Sequence, residues 1–233
     1  MSGAVRQLRH VPGTVRVVDD VPAAFAEAVA DAFATRVGSP TSRFSVALSG
    51  GPLARRCYQR LAHEAAAAVD WTLVDVLLGD ERCVPPDHPD ANQRLVREVL
   101  LAAVGPVGSF SPMDCDTGPE AYQRLVERHA PLDLVHLGFG EDGHTASLFP
   151  GSPVLHTPPG RLVARSVDPA GNNDHPRLTF TFEALAAARL RLVTASGPAK
   201  RDAFRRLQAG EDLPAARLPA EQTLWLVDQA VVG

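Results

Sequence analysis

The chain has 233 residues, 45% of them hydrophobic and 21% charged, with a formal net charge of −4. That size and balance suit one globular domain over residues 1–233, with a core large enough to need no staples. The charge leaves no electrostatic footprint for nucleic acid, and no apolar run approaches the roughly 18 residues of a membrane helix. Met1 to Val11 mixes Arg6, Arg9 and His10 and lacks the apolar stretch of a signal peptide. Cys57, Cys83 and Cys115 are odd in number, have no metal-ligand spacing and read as reduced thiols. With the missing signals, they predict a cytoplasmic protein.

In chain order, Val15 to Val18 is a short β-type run. Pro22 to Val37 has helical spacing, with Asp19 or Asp20 as its cap. Phe44 to Leu48 is a compact apolar strand, Ser49-Gly50-Gly51 turns the chain, and Pro52 opens a helix through about Ala68. Leu73 to Leu78 is the next strand, followed by a polar loop from Gly79 to Ala91. Helices follow at Asn92 to Val104 and Glu120 to His129, then a strand at Leu132 to Leu137. Leu162 to Val167, Leu178 to Phe182 and Leu190 to Ala195 read as strands, Gly197 to Gln208 as a helix, and Thr223 to Val227 as the last strand. Alternating strands and helices predict a mostly parallel sheet with helices on both faces. Ligands bind such sheets beyond the carboxyl ends of the strands.

Four polar turns leave strands at that edge. In Ser49-Gly50-Gly51-Pro52, glycines admit close backbone approach and a helix start favours an anion. A tight strand-to-helix turn explains the same residues equally well. In Gly79-Asp80-Glu81-Arg82-Cys83-Val84-Pro85, Arg82 offers a guanidinium fork for a phosphate, and Asp80 either orients Arg82 or accepts from sugar hydroxyls. A solvated loop looks similar. Asn92 either donates to the same ligand or caps its helix.

Gly138-Phe139-Gly140-Glu141-Asp142-Gly143 matches G-x-G-x-x-G after a strand, but Pro150, Pro153, Pro158 and Pro159 leave no room for the helix a dinucleotide site requires. Asp168 stands at a tolerable distance for a ribose ligand and means little without that helix. His144, two residues beyond Asp142 on this flexible edge, is the candidate proton acceptor, and Asp142 can reach its ring. A structural histidine is the bland alternative. His10, His63 and His129 fall on exposed stretches, and His136 packs in a strand. Of the 23 basic side chains only Lys200 is a lysine, placed in the turn Ser196-Gly197-Pro198-Ala199-Lys200. A compact ammonium kept there points to a site more than to chance. Arg177 is a weaker candidate, since arginines at strand edges are common.

Together these segments resemble the 6-phosphogluconolactonase family. The resemblance rests on Leu48 to Gly51, on Gly79 to Pro85 with His88 and Asn92, on Leu137 to Gly151, on Arg177-Leu178-Thr179 and on Gly197 to Lys200. It spans most of the chain, and the third segment is its most specific part. It implies a Rossmann-like α/β domain of the type shared with glucosamine-6-phosphate deaminase and ribose-5-phosphate isomerase. It also implies hydrolysis of 6-phospho-D-glucono-1,5-lactone with no cofactor and no metal. His144 matches the family's catalytic histidine, Arg82 and Lys200 its cationic substrate contacts, and Asp80 the acidic partner beside that arginine. Ser49, Gly50, Gly51, Asn92 and Arg177 complete the expected phosphate and substrate contacts. The expected partner is a small sugar phosphate, and the expected assembly a monomer or weak homodimer.

Two departures stand out. The family follows Ser-Gly-Gly with Ser-Thr-Pro, whose hydroxyls hold phosphate, whereas Pro52-Leu53-Ala54 supply none. Asn173-Asp174-His175-Pro176 also fits loosely. Among rivals, a glucosamine-6-phosphate deaminase carries a Glu five residues beyond the histidine, where this chain has Phe149, and Asp-Glu-Tyr where it has Asp80-Glu81-Arg82. A non-catalytic sugar-phosphate sensor is the rival of another class; no helix-turn-helix segment supports a DNA-linked one. A structural protein descended from a lactonase is the third, opposed by the intact Asp80, Arg82, His144 and Lys200.

Overall fold

The computed structural model describes residues 4–37, 42–65 and 67–233. The first elements are β1 (Ala4–Arg6), β2 (Thr14–Val17), α1 (Val21–Arg36), β3 (Phe44–Leu48) and α2 (Pro52–Glu64). Asp20 caps α1, accepting from Ala23 N at 3.0 Å. Next come β4 (Val74–Leu78), β5 (Asp80–Arg82) and α3 (Asn92–Val96), which runs through a π turn at Arg97–Leu101 into α4 (Ala102–Val104). Then follow β6 (Ser109–Ser111), α5 (Gly118–His129), β7 (Leu134–Gly138), β8 (Val163–Ser166), β9 (Arg177–Phe180), α6 (Phe182–Ala187), β10 (Arg191–Ala195), α7 (Arg201–Gln208), β11 (Thr223–Val227) and α8 (Gln229–Val232).

Eight strands form the main sheet in the order β1-β2-β11-β10-β7-β3-β4-β6, and every pairing but β1–β2 is parallel. Every residue of β3, β4 and β10 is buried, as it must be in a sheet covered on both faces. The chain runs outward from β3 through β4 to β6, then returns at β7 and runs the other way through β10 to β11. The switch point, where a crevice opens at the carboxyl ends, therefore lies between β3 and β7. Leu48 pairs with Leu78 and Gly138 with Thr194, so the turns after β3, β4, β7 and β10 emerge side by side.

Several expectations need correction. The loop predicted from Gly79 to Ala91 contains β5, and β5, β9 and β8 form a separate antiparallel sheet. The predicted helix after Pro52 stops at Glu64, because the turn in which Val69 N bonds Ala65 O carries Val69 into the core. Residue 66 of the predicted span, like residues 1–3 of the amino-terminal segment, lies outside the described residues. Residues 198–200 form a 3-10 turn before α7 rather than its first turn. Cys83 and Cys115 are not reduced thiols: they form a disulfide, with Cα atoms 5.5 Å apart, and only Cys57 is free and buried. The 32-residue separation carries no signal, since tertiary packing brings the end of β5 beside the segment before α5.

Candidate active site

The turn after β3 is shaped by what surrounds each glycine. Gly51 has φ +100° and stands as the helix cap, with no side chain capping α2. Gly50 backs onto Asn92: a Cβ there would lie 1.7 Å from Asn92 Oδ1. Ser49 is turned inward, its Oγ donating to His136 O at 2.7 Å and its N–H to the Tyr58 hydroxyl at 2.8 Å. Ser49 thus braces the turn through its hydroxyl, while the helix start of α2 faces the crevice. Arg56, one turn further along α2, lines the same space. Sequence reading missed it because two successive arginines on a helix look like a solvated face.

Asp80 sits where β4 passes into β5 and is buried. Its Oδ2 accepts from Ser147 Oγ at 2.6 Å, and its Oδ1 and main-chain oxygen accept from Asn92 Nδ2 at 3.2 and 2.9 Å. These bonds, rather than one to Arg82, occupy its carboxylate. Arg82 instead donates to Asp90 O, and its buried Nε has no protein partner. Asn92 is not the helix cap it resembles. Glu81 does that work, accepting from Asn92 N at 2.7 Å and Gln93 N at 2.8 Å. Burial pushes the Glu81 carboxyl up to about 7, against the pull of those N–H groups. Asn92 Oδ1 is buried and unpartnered beside Gly50.

The turn after β7 holds the histidine. Gly143, with φ +88°, reverses the chain, and Gly140 N donates to His144 O at 2.9 Å. A Cβ on Gly140 would lie 2.1 Å from His144 Nδ1, so only glycine lets the ring fold back. Asp142 Oδ1 takes both His144 N–H groups on that side, the main-chain N at 3.0 Å and Nδ1 at 2.6 Å. Burial would raise the Asp142 carboxyl, but the hydrogen bond and charge of His144 outweigh it and hold Asp142 below its ordinary value. The pairing fixes Nδ1 as donor and leaves Nε2 for the crevice. Phe149, fully buried, packs on the His144 ring with centroids 4.8 Å apart. No helix starts at Gly143; the next helical turn is a short 3-10 turn at Pro153–His156.

Arg177 on β9 lies over the Phe149 ring, 5.8 Å from its centroid. Its Nε donates to His175 O at 3.1 Å and an Nη to Asn173 Oδ1 at 3.3 Å. Burial lowers its pKa, opposed by Asp80, and a guanidinium starts high enough to stay charged. Lys200 reaches back from the turn after β10, its Nζ 3.6 Å from Glu141 Oε1.

These groups meet in one cavity of about 480 Å³. Ser49, Gly50, Gly51, Asp80, Arg82, Asn92, His144, Arg177 and Lys200 all line it, and Asp142 stands behind His144. The result is a small crevice with the pinned His144 imidazole on its wall and four cations, Arg56, Arg82, Arg177 and Lys200, around it. It suits an anionic ligand of sugar-phosphate size, held against the chain's mild net negative charge.

The chain has relatives among known proteins in sequence and in fold. Residues 15–225 match the family model for glucosamine-6-phosphate isomerases/6-phosphogluconolactonase. A 6-phosphogluconolactonase from Synechocystis sp. is 37% identical over 205 residues, covering 79% of this chain and 82% of that protein. One from Rhizobium meliloti is 35% identical, covering 82% and 86%. Among solved structures, the 6-phosphogluconolactonase of Thermotoga maritima superposes with a TM-score of 0.79 at 27% identity, covering 92% of this chain and 99% of that one. A monomeric glucosamine-6-phosphate deaminase shares the fold at a TM-score of 0.76 and 18% identity, covering 93% of this chain and 98% of that one.

Proposed function

The chain belongs to the glucosamine-6-phosphate isomerase/6-phosphogluconolactonase family, and on that premise we propose that it hydrolyses 6-phospho-D-glucono-1,5-lactone to 6-phospho-D-gluconate. The observation that carries this reading is the His144–Asp142 pair, at 2.6 Å, set into the wall of a cation-lined cavity of substrate size.

In the proposed mechanism His144 Nε2 removes a proton from water as its oxygen attacks the lactone carbonyl. Asp142 holds the ring by Nδ1–H and stabilises the imidazolium that forms. The carbonyl oxygen becomes an oxyanion, favoured by nearby N–H groups and cations. As the carbonyl reforms, the ring C–O bond breaks and the imidazolium returns its proton to the departing ring oxygen. Protons balance within the pair, so the chemistry calls on no cofactor. Arg82, Arg177, Lys200 and Arg56 are the proposed substrate contacts, with the N–H groups at the start of α2 standing in for the missing hydroxyls at Pro52 and Leu53. Phe149 against His144 supports lactone hydrolysis, because it leaves no carboxylate there for the acid-base work of a deaminase on an amino sugar.

The same reading takes residues 1–233 as one domain, supported by a single continuous hydrophobic core. It takes the protein as a monomer or weak homodimer, since Val5 and Val167 are the large apolar side chains left exposed among the described residues. No helix among them is long and apolar enough to cross a membrane. A phosphorylated substrate crosses none unaided, which favours the cytoplasm, where sugar phosphates are made. The test is acid release from freshly prepared lactone, corrected for spontaneous opening. The protein should accelerate it, and His144→Ala should abolish the acceleration while leaving the fold intact; a near-normal rate in that variant would overturn the assignment.

A further inference from the structure

Outside the proposed catalytic pair, His88, Asp90 and His175 converge beside the cavity. His88 and Asp90 lie in the turn after β5, where His88 N bonds Pro85 O at 2.9 Å and Ala91 N bonds His88 O at 3.0 Å. His175 comes from the segment before β9, 85 residues further along. The two segments are held in register by the pairing of Arg82 with Arg177 and by Cys83 N donating to Pro176 O at 2.8 Å.

The three ligand atoms lie within 4.8 Å of one another. Asp90 Oδ2 is 3.7 Å from His88 Nδ1 and 3.2 Å from His175 Nε2. A tetrahedral zinc ion with bonds of about 2.0–2.2 Å spaces its ligand atoms about 3.3–3.6 Å apart, so these two edges already come close to the required lengths. Asp90 N–H donates to His88 Nδ1 at 3.1 Å, so that nitrogen carries no proton, and an ion bound there replaces this N–H on its lone pair. Two imidazoles and one carboxylate suit a borderline-soft ion with one position left for water, while Mg²⁺ and Ca²⁺ prefer oxygen-rich sites. The side chains are 36%, 56% and 29% exposed, so an ion reaches them without any opening of the fold.

We propose that His88, Asp90 and His175 form a binding site for a divalent transition-metal cation of the zinc class, separate from the hydrolytic machinery. Its place gives it a consequence for the cavity. Asp90 O receives Arg82 and His175 O receives Arg177, so an ion bridging these residues ties together the two loops whose carbonyls hold both arginines.

The test is calorimetric titration of the full chain with zinc chloride, read as binding and not as activity. The site predicts one Zn²⁺ per chain with micromolar or tighter affinity and no comparable heat with Mg²⁺. Asp90→Asn and His175→Gln should each weaken binding by at least about tenfold. His144→Ala should leave it unchanged. Unfolding midpoints measured in chelator should match wild type for the first two variants, and His88→Gln serves if either fails to fold. No saturable binding below millimolar zinc overturns the site. So does binding that survives His175→Gln but disappears in His144→Ala, because the ion then sits on the proposed catalytic pair.

Discussion

His136 offers a sharp test of how the cavity floor is built. It is fully buried on β7, stacked against Phe25 at 4.4 Å and bonded at both ring nitrogens. Nδ1 lies 2.9 Å from the Tyr58 hydroxyl and Nε2 2.9 Å from Thr194 Oγ1. One proton arrangement satisfies every member: Thr194 donates to Nε2, Nδ1–H donates to Tyr58, Ser49 N–H donates to Tyr58, and Tyr58 donates to Ser49 O. Burial pushes the His136 pKa down from 6.5 to about 3. Below pH 6.5 the unfolded chain therefore gains a proton that the folded chain refuses until about pH 3, and stability falls as pH drops through that window. At about pH 4.5 the loss is two pH units' worth, about 2.7 kcal/mol. His136→Met removes the titration and strands the Thr194 hydroxyl, costing about 1–3 kcal/mol at any pH, while Tyr58 keeps both of its bonds to Ser49. Urea unfolding of wild type and variant at about pH 7.5 and pH 4.5 separates the two effects. The variant should be the less stable at the higher pH, with the gap shrinking by about 2.7 kcal/mol at the lower. A gap independent of pH would refute the buried neutral imidazole.

Three further outcomes follow from the site. Asp142→Asn should lower kcat roughly 10²- to 10⁴-fold, because an amide favours the wrong tautomer of His144; unchanged turnover in steady-state assays would remove Asp142 from the mechanism. Gly50→Ala sets a methyl 1.7 Å from Asn92 Oδ1, and the forced shift should cost about 1–3 kcal/mol in denaturant unfolding and raise KM more than it lowers kcat. A stable variant with wild-type KM would show that the turn after β3 does not grip substrate. Closing a 32-residue separation, the Cys83–Cys115 disulfide should contribute about 3–4 kcal/mol on the chain-entropy account. Reductant should lower the wild-type unfolding midpoint and leave a Cys83→Ser, Cys115→Ser double variant unmoved; equal sensitivity would argue against the bond.

Strands buried on both faces announce themselves as short, predominantly apolar runs with no period-2 alternation, which is why β3, β4, β7, β10 and β11 could be placed from sequence despite single polar residues such as Asp75 and His136. β5 could not. Asp80-Glu81-Arg82 has no apolar pattern, and it is a strand because β9, nearly a hundred residues later, pairs with it. β6 is three residues of Ser-Phe-Ser at a sheet edge, too short for any period to register. Turn chemistry was legible wherever it is local: Gly50, Gly51, Gly140 and Gly143 each answer to a close approach or a positive φ that neighbouring residues impose. The disulfide and the His88–Asp90–His175 cluster join segments 32 and 85 residues apart, and no local pattern encodes such distances.

The same division runs through the active site and assigns its residues different kinds of work. The Asp142–His144 pair is a two-residue spacing, so the chain alone could propose it. Asp80 was read either as orienting Arg82 or as accepting from sugar hydroxyls, with the resemblance favouring the first, yet its carboxylate bonds Ser147 and Asn92 instead. That choice links three turns. Ser147 belongs to the His144 turn, Asn92 opens α3 and presses on Gly50, and Asp80 holds both. The Asp80 carboxylate is therefore largely spent on fixing the distance between the imidazole and the start of α2. A buried, doubly bonded carboxylate is a rigid spacer, and a cavity that must align a small lactone carbonyl with one imidazole needs that rigidity more than it needs another ligand contact.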